Sequence, residues 1–206
     1  YDALVERQIE AGVAGLVPVG TTGEAATLSD EEAEALIART AKLAAGRALI
    51  LAGAGANDTH KAVEKAKRAE AAGADALLVV TPYYNKPSQA GLIAHYTAIA
   101  EAVSLPIVLY SVPGRCGVEI APETCAALME RCGNIVAIKE AGGDAARVTR
   151  LRAACGDRLI VHSGDDGLTL PFLSLGAVGV TSVVSNVAPR EMVAMVKAWH
   201  DGDLAK

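Results

Sequence analysis

The chain has 206 residues, of which 51% are hydrophobic and 3% are aromatic, and its formal net charge is -5. This length allows one sizeable hydrophobic core and favours a single domain over residues 1–206. The scattered basic residues and the scarcity of aromatic rings argue against a nucleic-acid-binding protein.

The chain contains four cysteines, which are Cys116, Cys125, Cys132 and Cys155. They show neither a paired CxxC spacing nor histidines at zinc-site intervals, so we expect free thiols in a reducing, cytoplasmic environment. No signal peptide is predicted at the start of the chain. The uncharged segment 167–189 is long enough to cross a bilayer, but Pro171 and Asn186 favour a core helix followed by a buried strand. We therefore expect no membrane association.

Helices and short apolar strands alternate along the whole chain. Helices are predicted at 2–10, 29–45, 57–73, 89–103, 122–132, 144–155, 165–175 and 189–199. Strands are predicted at 13–19, 48–53, 76–80, 105–110, the run ending at Lys139, 158–162 and 177–183.

This alternation predicts an α/β fold with parallel strands joined by crossover helices. A doubly wound open sheet would accommodate seven strands, but the first strand-to-helix turn has no GxGxxG sequence. Chemically active residue types follow nearly all the strands, which favours a TIM (β/α)8 barrel. In that fold the chain would begin in the first helix and lack the first strand.

Lys139 ends a short apolar run, which indicates a lysine at the end of a buried strand. Burial disfavours the ammonium and lowers its pKa towards the range in which the free amine is a nucleophile. The chemistry that this placement suggests is a Schiff base with a carbonyl substrate. The alternative is a lysine whose stem covers the sheet while its ammonium reaches water or pairs with Glu140.

Other reactive side chains also follow predicted strands. Thr21 and Thr22 lie in a glycine-bracketed turn suited to a small anion such as a carboxylate, although an ordinary loop would look the same. Tyr84 and Tyr110 could relay protons, whereas a single strand-end tyrosine is more often a packed ring. Arg115 could clamp a substrate carboxylate or be a surface arginine.

Two acidic residues, Asp165 and Asp166, open the helix that follows the strand at 158–162. Helix capping and the helix dipole account for such a pair, so we do not expect a metal site. The histidines at 60, 95, 162 and 200 have no companion ligands, and we expect them to be structural or exposed to solvent.

Four motifs occur in a familiar order and spacing: GTTGE at 20–24, YYNKP at 83–87, YSVPGR at 110–115 and IKE at 138–140. On these motifs the chain resembles the dihydrodipicolinate synthase family, within the N-acetylneuraminate lyase superfamily of pyruvate-dependent class I aldolases. The resemblance runs from the first residue almost to the last. It implies a carbon-oxygen lyase of lysine and diaminopimelate biosynthesis.

The resemblance implies a role for each motif residue. Lys139 would form the Schiff base with pyruvate, and Tyr110, Thr21 and Tyr84 would relay protons. Thr22 would hold the pyruvate carboxylate, and Arg115 would hold the carboxylate of L-aspartate-4-semialdehyde. Two further residues, Gly164 and Thr181, match positions that line the pyruvate pocket.

The family resemblance also implies partners and assembly. Pyruvate and the semialdehyde would be the substrates, with no metal and no cofactor beyond the covalent adduct. Tyr84 would enter the site of a neighbouring subunit in a homotetramer built as a dimer of dimers.

The sequence departs from the family in three respects, of which the first, Ser111 in place of a common Asn, lies outside the named chemical roles. Lys61 occupies a position that carries an acid in lysine-regulated members, although Asn57 and Tyr83 match that site. A cation there would repel cationic lysine, so we expect weak or absent feedback inhibition. The family also has an opening strand and a C-terminal helical extension, neither of which is found in this sequence.

Two alternatives to this activity stay open. The chain could be another pyruvate-dependent aldolase or a sugar-acid dehydratase of the same superfamily. It could also be an inactive, truncated barrel that only binds a ligand or partner.

Overall fold

The computed structural model describes residues 1–203, and residues 204–206 of the predicted domain lie outside this part. Its strands are β1 Gly15–Leu16, β2 Leu49–Gly53, β3 Ala76–Val80, β4 Ile107–Ser111, β5 Ile135–Glu140, β6 Ile160–Ser163 and β7 Gly179–Val180. Its helices are α1 Asp2–Glu10, α2 Asp30–Ala44, α3 Thr59–Ala71, α4 Gln89–Ala100, α5 Pro113–Cys116, α6 Pro122–Arg131, α7 Ala146–Cys155, α8 Thr169–Ser174 and α9 Pro189–Asp201.

The strands form one seven-stranded sheet whose spatial order is the order of the sequence. Every pair of neighbouring strands is parallel, as the alternating pattern predicted. The two edges of this sheet approach each other through α1, because the Gln8 side-chain amide donates a hydrogen bond to the Ser185 carbonyl at 2.7 Å. This arrangement confirms the predicted barrel-type architecture.

The edge strands β1 and β7 are only two residues long, which is shorter than predicted. Within residues 1–203 each has a single neighbouring strand, so half of its ladder hydrogen bonds cannot form. The chain after β1 nevertheless stays beside β2, where the Gly53 amide donates to the Pro18 carbonyl at 3.0 Å. Gly53 permits this approach, because a Cβ atom there would lie 1.9 Å from the Val19 oxygen.

Two local differences from the predicted helices occur near the carboxyl ends of strands. The turn-rich segment after β4 contains the short helix α5, which begins with Pro113 at its first position. Proline favours that position because its missing amide hydrogen is not needed there. The helix predicted at 165–175 is split into a 3-10 turn, Asp166–Leu168, and α8.

The two faces of the sheet pack against two different hydrophobic clusters. The larger core lies between the sheet and the helices and includes Ile138 of β5. A smaller cluster inside the barrel contains Leu78 and Tyr110. Since successive side chains of a strand point to opposite faces, Lys139 lies on the inner face and Glu140 on the outer one.

All four cysteines are free thiols, as expected, and the structure buries each of them. Between residues 1 and 203, no helix has both the length and the apolar composition required to cross a membrane.

Candidate active site

Lys139 lies inside the barrel between two other polar side chains. Its Cα pairs in register with Tyr110 of β4 on one side and with His162 of β6 on the other. Only 9% of the residue is exposed, and this burial lowers the pKa of its ammonium from 10.5 to about 8. The Asp166 carboxylate opposes the shift in the lysine pKa, and the Arg115 guanidinium adds to it. In part of the molecules, the Lys139 side chain is therefore a free, nucleophilic amine near neutral pH.

The Lys139 amine faces an aromatic ring and does not pair with Glu140. Its Nζ atom lies 4.3 Å from the centroid of the Tyr110 ring, which is cation–π geometry. The Glu140 carboxylate points to the other face of β5 and pairs with Arg147 at 3.0 Å. The alternative in which Lys139 is an ordinary partner of Glu140 is therefore wrong.

Tyr110 and Thr21 also meet at this point. Burial raises the pKa of the Tyr110 phenol, whereas the Arg115 charge and a side-chain hydrogen bond with Thr21 oppose that rise. Thr21 begins the exposed 3-10 turn Thr21–Gly23, which follows an extended Gly20. The amine, the phenol and the threonine hydroxyl thus form a possible path for protons between solvent and the barrel interior.

Arg115 is an exposed residue of the short helix α5. Its charge affects the pKa values of both Lys139 and Tyr110, which places the guanidinium on the same side of the barrel. The helix ends at Gly117, whose φ of +72° is in the left-handed region. A Cβ atom on Gly117 would lie 2.7 Å from Lys86 Cε, so this glycine lets the loop after β3 approach α5.

Gly164 and Thr181 lie close to Lys139 and His162. A Cβ atom on Gly164 would lie 3.0 Å from Lys139 Cε, so the missing side chain leaves room for the lysine stem. The Gly164 amide donates to the Glu140 carbonyl at 2.7 Å. The Thr181 hydroxyl is 3.5 Å from His162 Nδ1.

Two of the predicted site residues, Tyr84 and Thr22, are exposed in the single chain. Tyr84 is 89% exposed and has a φ of +70°, a backbone conformation that is unfavourable for an aromatic residue. Thr22 is exposed in the turn after Gly20. These two side chains therefore face solvent in the isolated chain.

His162 is a site residue that the sequence reasoning missed. Its ring lies in the barrel interior, where burial and the Lys139 charge lower its pKa. The imidazole is thus held neutral beside the amine. The strand register could have revealed it. His162 pairs with Lys139, so the two side chains point to the same, inner face of the sheet.

Both acids after β6 have structural contacts, but only Asp165 caps a helical turn as predicted. Asp165 accepts a hydrogen bond from the Gly167 amide at 2.9 Å. Asp166 accepts from the amides of Val183 and Val184 at 3.0 and 3.1 Å, which fixes the chain after β7. In the part of the chain that the structure describes, no three His, Cys, Asp or Glu residues are grouped as metal ligands would be.

Comparison with known proteins gives the same match along the whole chain. The model of the dihydrodipicolinate synthetase family matches residues 1–206. The 4-hydroxy-tetrahydrodipicolinate synthase of Brucella abortus is 49% identical over 206 residues, which cover 100% of this chain and 70% of that protein.

Solved structures agree with this match. The 4-hydroxy-tetrahydrodipicolinate synthase of Methylacidiphilum fumariolicum SolV has 51% identity and a TM-score of 0.97, over 98% of this chain and 67% of that one. A dihydrodipicolinate synthase of Acinetobacter baumannii complexed with pyruvate has 48% identity and a TM-score of 0.94, over 98% of this chain and 69% of that one. The chain therefore belongs to the dihydrodipicolinate synthetase family.

Proposed function

We propose that this barrel is a Schiff-base lyase that condenses pyruvate with L-aspartate-4-semialdehyde to give 4-hydroxy-tetrahydrodipicolinate, a step of lysine and diaminopimelate biosynthesis. Membership of the family and relatives named for this synthase support the reaction. The observation that carries the proposal is Lys139, a buried amine whose pKa is about 8 and which faces the Tyr110 ring.

Lys139 begins the reaction as the nucleophile. Its free amine adds to the ketone carbon of pyruvate, and the resulting carbinolamine loses water to give the iminium ion. Loss of a proton from the methyl group then converts the iminium ion into an enamine, whose terminal carbon is nucleophilic. Tyr110 and Thr21 move protons to and from these intermediates, since the Tyr110 ring faces the amine and the Thr21 side chain acts on the phenol.

The enamine carbon then attacks the aldehyde carbon of the semialdehyde. The electron pair of the carbonyl bond moves to the aldehyde oxygen, which takes a proton through Tyr110. This step regenerates the iminium ion, and the amine of the semialdehyde attacks its carbon. The new carbon–nitrogen bond closes the six-membered ring, and cleavage of the bond to Nζ, with transfer of a proton to the departing Lys139 amine, frees the enzyme.

Carboxylate binding orients both substrates. Thr22 holds the pyruvate carboxylate in the exposed turn at 20–23, while Gly164 and Thr181 line the pyruvate pocket. The A. baumannii relative complexed with pyruvate supports this choice of first substrate. Arg115 holds the carboxylate of the semialdehyde at the mouth of the barrel, where its guanidinium is accessible to solvent.

Tyr84 completes the proton path of a neighbouring copy. Its exposure of 89% and its unfavourable φ support a role outside its own chain. The working assembly is then a homo-oligomer, a dimer of dimers in the cytoplasm, that needs neither metal nor organic cofactor. Mixing Tyr84→Phe chains with Lys139→Met chains should restore part of the activity, because exchanged dimers contain one intact site.

The decisive experiment is reduction of the full chain with borohydride in the presence of pyruvate, followed by mass spectrometry of its peptides. We expect reduced pyruvate on Lys139 and no adduct in Lys139→Met. An unmodified Lys139 would contradict the proposal. Turnover of the semialdehyde, compared with keto-deoxy sugar acids, tests the second substrate and separates this activity from related aldolases.

A further inference from the structure

Residues 117–121 connect the helix of Arg115 to α6, and side chains from two other helices hold this connection. We call residues 117–121 the anchor segment. Arg115 itself lies in a helix of only four residues. Among the described residues 1–203, no carboxylate forms an ion pair with its guanidinium. The position of Arg115 therefore depends on the backbone around it, and the anchor segment is the part of that backbone that follows α5.

Gln89 holds the anchor segment from the side of α4. Its Nε2 atom donates to the Glu119 carbonyl at 2.8 Å. Its Oε1 atom accepts from the Ala121 amide at 3.0 Å and from the Thr124 hydroxyl at 2.7 Å. One side-chain amide thus satisfies three groups at the end of the anchor segment and the start of α6. Gln89 also directly follows the loop that carries Tyr84.

Arg147 holds the same segment from the side of α7. Its Nη2 atom donates to the Ile120 carbonyl at 2.7 Å, and its Nη1 atom pairs with the Glu119 carboxylate at 3.1 Å. The same guanidinium pairs with Glu140 at 3.0 Å. Arg147 therefore ties the anchor segment to the residue that follows Lys139.

Glu140 extends this connection into the turn after β5. Its Oε1 atom accepts a hydrogen bond from the Gly142 amide at 2.7 Å. Arg147 is 2% exposed and Glu140 is fully buried, so solvent does not weaken these contacts. The guanidinium fork fixes direction as well as distance, which a single point charge would not do.

We propose that Gln89 and Arg147 are positioning residues that hold Arg115 at the mouth of the barrel and so set the affinity for the second, carboxylate-bearing substrate. This inference rests on the proposed function, in which Arg115 binds that carboxylate. Neither residue touches substrate. Their effect reaches the reaction through Arg115 and leaves the formation of the pyruvate adduct on Lys139 intact.

The first test is Gln89→Met, which keeps the length of the side chain and removes its three hydrogen bonds. We expect KM for the semialdehyde to rise roughly tenfold, because a misplaced Arg115 meets the carboxylate poorly. The values of kcat and of KM for pyruvate should change less than about twofold. Arg147→Lys, which keeps the charge beside Glu140 but loses the fork, should give the same pattern in a milder form.

Asn134→Leu is the matched control at the opposite end of β5. The Asn134 amide also bridges three backbone groups, the carbonyls of Ala100, Val103 and Leu105, at 3.0 to 3.3 Å. Its loss should lower the melting temperature by a similar amount without a selective change in KM for the semialdehyde. An equal KM effect in this control would show that Gln89 acts only through general stability.

A double-mutant cycle with Arg115→Met gives the sharper answer. If Gln89 acts through Arg115, then adding Gln89→Met to Arg115→Met should raise KM by less than about twofold. Independent, multiplicative effects would overturn the inference while leaving the proposed function intact.

Borohydride trapping with pyruvate is run on the wild type and on each variant in parallel. We expect an adduct on Lys139 in every one of them. Loss of the adduct in Gln89→Met alone would overturn the inference, since the effect would then not be confined to the second substrate. Its absence in the wild-type chain would overturn the proposed function, and this inference with it.

Discussion

The buried charges on the two faces of β5 differ in whether they have a partner of opposite charge. On the outer face, Glu140 is fully buried and pairs with Arg147, which is itself 2% exposed. On the inner face, the preceding residue, Lys139, is 9% exposed and faces the Tyr110 ring. A buried charge with a close partner of opposite sign, such as Glu140, stabilises the contacts between elements. A buried amine without one has its pKa lowered and becomes available for chemistry.

The largest expected effect is the loss of activity when the inner charge is removed. Lys139→Met should lower kcat by at least about 10³-fold, because no other group can form the Schiff base. Steady-state kinetics measures it. Lys197→Met is a suitable control, since Lys197 is an exposed partner of Asp201 and its loss should leave kcat unchanged. Retained activity in Lys139→Met would remove the distinction between the two faces.

On the outer face of β5, removal of the Arg147 charge should lower the stability of the protein. Arg147→Met leaves the Glu140 carboxylate buried without its partner, which we expect to cost about 3 to 5 kcal/mol of unfolding free energy. Urea denaturation followed by circular dichroism measures this cost. The double variant Arg147→Met/Glu140→Leu should recover much of the loss, because it contains no unpaired buried charge. If the double variant is no more stable than the single one, the ion pair is not the source of the effect.

Tyr110→Phe tests the neighbour of the amine. Loss of the phenol should lower kcat by about 10²-fold or more, the usual range for a general acid–base group, while the pyruvate adduct still forms. Tyr96→Phe is the matched control, because the Tyr96 hydroxyl donates to the Val79 carbonyl at 3.1 Å in the outer core. That control should lose stability but not rate. An equal loss of rate in both variants would argue against proton transfer by Tyr110.

The charge on Lys139 should also lower the stability of the folded chain. The Lys139 pKa is lowered from 10.5 to about 8 in the folded chain, so the unfolded chain binds the proton more tightly. This penalty is fully present below about pH 8 and disappears as the pH rises towards 10.5. Lys139→Met should therefore stabilise the protein by about 3 kcal/mol near pH 7 and by less near pH 9.5. Denaturant titrations at the two pH values test this, and a destabilised variant would contradict it.

The smallest effect is the pH dependence of adduct formation. Because the Lys139 pKa is about 8, the rate of pyruvate addition should rise about tenfold from pH 6 to 7 and level off above pH 9. Stopped-flow measurement of the adduct gives the midpoint. Arg115→Met should move it upward and Asp166→Asn downward, since these charges shift the lysine pKa in opposite directions. An unchanged midpoint in both variants would mean that burial alone sets it.

Much of the candidate site could be read from the sequence because reactive residues at parallel strand ends meet at one end of a barrel. Lys139, Tyr110 and Thr21 come together for this reason, although they are far apart in the chain. Tyr84 could not be placed in the same way, since one chain leaves it exposed. His162 was missed because a lone histidine in a strand looks the same on either face until the register is known.

The order of the elements, the parallel sheet and the place of a lysine at the end of a buried strand all follow from the sequence alone. Local periodicity, turn residues and strand ends are sufficient for these features, since each depends on residues close in the chain. The partner of each buried charge, in contrast, is set by tertiary contacts. The pairing of Glu140 with Arg147, the anchor segment beside Arg115 and the lowered pKa of Lys139 all depend on burial and on contacts between separate elements, which local sequence does not encode.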